Sequence, residues 1–231
     1  MSYGKYETSI ALIEAEKETA QVVGIENIEA FKEERVKAKA YGTTFVNLLG
    51  SYGNFEVDSN ADGKADWWVF TLGTDHFLSS TSLFGSRTQS ITLVKDGDSG
   101  TRVWQQLTNI TIGNTVFASV YVKMSNTNNG VPKLNFDGNA VSGIKTTRWQ
   151  RISIKTTVSG GYFRVYLQDA SPTVSDVTVL LDGAMLINLT ERGALDPIRA
   201  AKYGVSNWSD LTTAQLEAEI PYFDSVMSVN V

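Results

Sequence analysis

The spacing of hydrophobic positions changes twice along the chain. In the first 42 residues it is helical: Tyr6, Ile10, Ile13 and Ala20 fall near one seam, and Ile25, Ile28, Phe31 and Ala38 line one side of a second segment. This predicts helices over 8–23 and 25–41, broken at Gly24. From Thr44 the period falls to two. Val116, Ala118, Val120 and Val122 alternate with Phe117, Ser119, Tyr121 and Lys123; Phe163, Val165 and Leu167 alternate with Tyr162, Arg164 and Tyr166. Ile152 and Ile154, and then Val177, Val179 and Leu181, repeat the pattern. Turn dipeptides bound these runs: Asp96-Gly97, Asn129-Gly130, Asp137-Gly138 and Gly160-Gly161. Short alternating runs between such turns predict an antiparallel two-sheet sandwich over residues 44–190. In residues 191–231, Thr212 and Gln215 stand three apart as a capping box, which predicts a short helix stopped by Pro221.

Composition sharpens this division into an arm (1–43), a β domain (44–190) and a C-terminal extension (191–231). The first 42 residues hold six Lys/Arg and eight Glu. So polar an arm has little with which to bury itself, so a docking or oligomerising stalk is favoured over an arm packed on its own domain. The 231 residues carry 20 Lys+Arg against 25 Asp+Glu, a net charge of -5 that argues against a nucleic-acid partner. The absence of Cys excludes disulfides and thiolate chemistry, and a single His excludes a two-His zinc site within one chain. No apolar run approaches the ~20 residues of a membrane span, and the N-terminus lacks the layout of a signal peptide.

The most specific local signal is the run from Asp58 to Asp66. Asp58, Asn60, Asp62, the carbonyl of Lys64, and Asp66 place oxygens at alternate positions, with Gly63 sixth, as in the first half of a calcium loop. No Glu occupies the twelfth place of an EF-hand, so the choice is between a calcium loop on a β scaffold and an oxygen-rich hairpin that binds nothing. Among the aromatics, Trp67 and Trp149 are read as core. Trp104 differs. On its strand Val103, Gln105 and Leu107 share one face, and Arg102, Trp104 and Gln106 the other. A Trp between Arg and Gln on a polar face suits a sugar ring, whose C–H face stacks on indole while its hydroxyls meet amide and guanidinium groups. Tyr121, Tyr162 and Tyr166 are further candidates of the same kind. His76 reads as structural, and no nucleophile elbow or P-loop is present.

Several segments, taken in order, resemble jelly-roll carbohydrate-binding modules: Asn47-Leu48-Leu49-Gly50-Ser51-Tyr52-Gly53-Asn54-Phe55-Glu56 followed by Trp67, then Phe117–Lys123, Trp149–Ser153 and Leu180–Leu186. The resemblance implies a structural calcium held by Glu56 and Asp182, as one site with the Asp58–Asp66 loop or as an alternative to it. The tail, from Leu186 through Leu211–Leu216 to Phe223, resembles the ending of such modules in tailed-bacteriophage virion proteins. These resemblances imply a non-catalytic protein on the virion exterior (a tail or head fibre, or a decoration). In that setting the sandwich binds host-surface glycan, and the arm docks on other virion proteins or forms a homo-oligomer, with a trimer preferred. The alternative is the carbohydrate-binding module of a bacterial glycan-degrading enzyme.

Overall fold

The computed structural model describes residues 43–71, 78–84, 88–93, 102–127, 130–168, 177–223 and 226–229. The helices expected over 8–23 and 25–41, His76 and the Asp96-Gly97 turn lie outside them.

The described chain is mainly β. Its strands are β1 (Thr43–Val46), β2 (Val69–Thr71), β3 (Leu78–Ser79), β4 (Thr88–Leu93), β5 (Arg102–Gln106), β6 (Thr115–Met124), β7 (Val131–Phe136), β8 (Asn139–Ser142), β9 (Gln150–Thr157), β10 (Tyr162–Gln168) and β11 (Val177–Asn188). Short helices α1 (Leu189–Arg192), α2 (Pro197–Tyr203) and α3 (Thr213–Glu219) follow, and then β12 (Val226–Val229). Two five-stranded antiparallel sheets, β2-β5-β10-β7-β8 and β3-β4-β11-β6-β9, form the sandwich; β1 pairs with β12. Asp137-Gly138 makes the two-residue β7–β8 turn with φ of 53° and 90°, the positive values a tight hairpin requires.

The predicted alternation sets the main core. Val103, Leu134, Phe136, Phe163, Val165 and Leu167 of one sheet meet Val116, Ala118, Val120, Val122, Val177, Val179 and Leu181 of the other. Trp68 closes one end, stacked on Phe55 at 4.9 Å and donating from Nε1 to Tyr52 O at 2.9 Å. This corrects the assignment of core tryptophans. Trp67 is 37% exposed and Trp149 is half-buried, while Trp68 and Trp208 are the buried ones. The reason is local: Trp67 has φ +73, which turns it outward and drives its neighbour Trp68 inward.

A second core lies on the far side of the β3-β4-β11-β6-β9 sheet. Phe45, Phe117, Met185 and Ile187 pack there with Trp208, Leu211, Leu216 and Ile220 of the extension. A bulge makes this possible. On β11, Asp182 pairs with Tyr121 but Met185 with Ser119, so one extra residue is inserted. The insertion keeps Ala184 and Leu186 in the main core and turns Met185 and Ile187 to the opposite side. Helix α3 starts where predicted: Thr212 accepts from Gln215 N while Gln215 Oε1 accepts from Thr212 N.

Candidate functional site

The outer face of β2-β5-β10-β7-β8 is built by register. Antiparallel partners directly opposite each other share a face, about 5 Å apart. One row runs Arg102, Tyr166, Lys133, Ser142. The next runs Val69, Trp104, Arg164, Asn135, Ala140. A third pairs Gln106 with Tyr162. The sequence reading of β5 therefore holds in geometry: Val103 is buried, Gln106 is exposed, and Arg102 and Trp104 are half-buried on the outer side. Trp104 and Tyr162 rings lie 6.0 Å apart, and the Arg164 guanidinium sits 4.7 Å from the Tyr162 ring centre. The register brings together Arg102, Trp104, Gln106, Tyr162 and Tyr166, and adds Arg164, Lys133 and Asn135. Those three were not singled out in the sequence. The alternation of Tyr162, Arg164 and Tyr166 already put Arg164 on this face; which strands flank β10 was not legible.

Two devices hold the face in place. Asp137 accepts from the backbone N–H groups of Ser159, Gly160, Gly161 and Tyr162, at 2.7–3.0 Å. This anchors the entry to β10 and so the Tyr162 ring. Partial burial works to raise the Asp137 pKa, but the four N–H donors outweigh it and leave the carboxyl below its ordinary value. Gly161, with φ +75, is needed there, because a Cβ would stand 2.3 Å from Leu107 O. The second device explains why a Gln faces inward on β5. In the amide orientation that satisfies both groups, Gln105 Nε2 donates to Trp67 O and Trp67 Nε1 donates to Gln105 Oε1 at 3.2 Å. Trp67 also stacks on Tyr52, with ring centres 5.1 Å apart.

Tyr121 is not part of this face. It belongs to β6 in the other sheet, where Phe84 packs on it at 5.1 Å and the Arg151 guanidinium lies 5.8 Å from its ring. Phe84 is itself covered by Tyr222 of the extension, at 4.5 Å.

The oxygen-rich residues divide into two groups. The Glu56 charge is felt at Asp182 and adds to the rise of its pKa. That rise, to about 6, comes first from burial and is opposed by N–H donors from Phe84, Leu83 and Gly183. Asp182 Oδ2 accepts from Leu83 N and Phe84 N, both 2.8 Å, and Oδ1 accepts from Gly183 N at 2.7 Å. Asp182 is fully buried; its Oδ2 takes two of these bonds, while Oδ1 takes one and keeps a lone pair. These hydrogen bonds fasten β11 to the 83–84 segment. In the loop, Asp58 accepts from Asp62 N and Gly63 N, Asn60 from Asp62 N, Asp62 from Lys64 N, and Asp66 from Ser59 N. Each oxygen takes one such bond and keeps a lone pair, so the loop retains donor capacity for calcium. Among the described residues, no three carboxylate or imidazole groups converge as a metal centre requires.

No family model and no curated protein matches this chain. Solved structures do. The CBM22-1 xylan-binding domain of Paenibacillus barcinonensis Xyn10C is 15% identical, covering 62% of this chain and 94% of its own, with a TM-score of 0.46. TmCBM61, solved with beta-1,4-galactotriose, is 14% identical over 62% of this chain and 98% of its own, with a TM-score of 0.41. Both are carbohydrate-binding modules. The enzymatically active domain of tailspike protein 4 from bacteriophage CBA120 is 17% identical, covering 61% of this chain and 21% of its own, with a TM-score of 0.36. Function has to be read from the residues of the sheet face itself. That face offers aromatic rings for stacking, guanidinium and amide groups beside them, and no carboxylate on its five strands.

Proposed function

We propose that this is a non-catalytic glycan-binding protein and that a sugar chain lies across the outer face of β2-β5-β10-β7-β8. The observation that carries the reading is Trp104. It sits mid-sheet on the outer side, flanked by Arg102 and Gln106 along β5 and by Arg164 across the ladder. Sugar rings bury apolar C–H faces on such an indole, and their hydroxyls take the flanking donors. In this reading the protein stands on the exterior of a tailed-phage particle, and residues 1–43 attach it to other virion proteins or trimerise it. Many weak sugar contacts on one particle then add by avidity. Calcium, in this reading, is a fold-fastening ion at the Asp58–Asp66 loop.

The test is retention on host cell-wall polysaccharide by wild type and Trp104→Ala, with melting curves for both. Loss of retention at unchanged folding supports the reading; a folded variant that binds as well as wild type refutes the site. New reducing ends released by wild-type protein refute the absence of catalysis. Light scattering of the full chain and of a chain starting at Thr44 tests the arm: equal mass in subunits for both removes its oligomerising role.

A further inference from the structure

We infer that the glycan recognised by this face is anionic, a polysaccharide bearing carboxylate or other acidic groups. The inference deepens the glycan-binding reading and rests on it.

Charge distribution is the first ground. The chain carries a net -5, yet β2, β5, β7, β8 and β10 contain no Asp or Glu, and Arg102, Arg164 and Lys133 all point outward from them. Among the described residues the ion pairs join Arg199 and Lys202 to Asp196 and Glu219, and none lies on this face. A single-sign patch on a protein of opposite net charge selects ligands of the protein's own sign.

Placement is the second ground. Arg102 and Lys133 flank Tyr166 in one row, each about 5 Å from it across the strands. A ring stacked on Tyr166 therefore has a cation at either edge. One step along β10, Arg164 stands beside Trp104 and is held by its own stack on Tyr162. A guanidinium fixed through its flat face keeps its N–H edge for a carboxylate. Arg102 Nε is buried and has no hydrogen-bond partner among the described residues. For hydroxyls alone, an exposed amide such as Gln106 suffices; three cations in two adjacent rows are better matched to repeating negative charge.

The experiment uses the full chain and paired polymers of one backbone: polygalacturonate and its fully methyl-esterified form, with dextran sulfate beside dextran to separate carboxylate from sulfate recognition, and single-stranded DNA as a rival polyanion. The expected result is retention of an acidic polymer at least about tenfold stronger than of its neutral twin, weakening as salt is raised. Lys133→Gln with Arg164→Gln lowers acidic retention by a larger factor than neutral retention and leaves the melting curve unchanged. Should that pair unfold, Lys133→Gln alone is read the same way. Equal or stronger retention of the neutral twins overturns the inference while leaving the glycan reading intact. Retention of no polysaccharide overturns both. Tighter retention of DNA than of any glycan overturns both in favour of a nucleic-acid face.

Discussion

Each sheet turns an aromatic and basic face away from the common core, and the two faces meet opposite fates. On β3-β4-β11-β6-β9 the face is spent on folding. Arg151 donates to Ile220 O at 2.8 Å and to Ser119 Oγ at 3.1 Å, and lies over Phe117 and Tyr121. Lys155 donates to Ser209 O and Leu211 O. These cations terminate the carbonyls of an extension whose Trp208, Leu211, Leu216 and Ile220 cover the sheet, and Arg151 also feels the charge of Glu217 there. On β2-β5-β10-β7-β8 Arg102, Arg164 and Lys133 are half-buried, and the hydrophobic residues of the extension pack on the other sheet. Similar residue types, in similar alternation, pack under the extension on one face and stay half-buried on the other. Among the described residues, what separates them is the extension, which packs on the first face alone.

The contrast is broken most severely at Trp208, which is fully buried with its ring 4.7 Å from Phe45, edge to face. Trp208→Ala is expected to cost about 3–5 kcal/mol, read by denaturant unfolding. A much smaller loss would mean the extension is only loosely laid on its sheet.

The two sheets are also expected to respond to pH with opposite sign. Asp182 has its folded pKa raised to about 6 from 3.8. Its contribution is fully present below about pH 4 and is lost as pH rises through 6, an effect of about 3 kcal/mol at neutral pH. Asp137, beneath the open face, has a lowered pKa, so its stabilisation is present above the ordinary carboxylate range and is lost as pH falls through the folded pKa. Unfolding of Asp182→Asn should lack the decline between pH 4 and 7. A decline that survives in that variant assigns it to another group.

Next in size is Asp137→Asn, which weakens four N–H contacts and should cost about 2 kcal/mol above pH 5. It should also reduce glycan retention, because Tyr162 loses its anchor. Retention unchanged at that destabilisation would show that the β10 entry does not position the face. Trp104→Ala should cost only about 1 kcal/mol, since the ring is half-buried, yet abolish retention. Excess calcium is expected to raise the melting temperature slightly through the Asp58–Asp66 loop, and chelator to lower it. Coincident curves would reduce the loop to a self-bonded hairpin.

The fold was largely legible because strand alternation is a short-range property. The inward set Val116, Ala118, Val120 and Val122, the hairpin at Asp137-Gly138 and the box at Thr212 and Gln215 all follow from residues near in sequence. The β5 face of the candidate site was legible for the same reason. Trp67 was read as core, yet it lies before β2 at φ +73 and is 37% exposed, a local turn no neighbouring residue type announces. Tyr121 looked like Tyr166 because each faces outward from its strand, and only the extension distinguishes them.

By itself, then, the sequence determined which residues share a strand face, where tight turns and the last helix begin, and that the chain is predominantly β, since backbone period and local capping act over a few residues. Tertiary structure alone decided which strands became neighbours, and so that Arg102, Tyr166 and Lys133 form one row. It also decided that the β11 bulge would turn Met185 and Ile187 toward a second core, and which of two similar faces would be covered. Those outcomes depend on pairings between residues tens of positions apart, where the energy lies in burial and register rather than in any local preference.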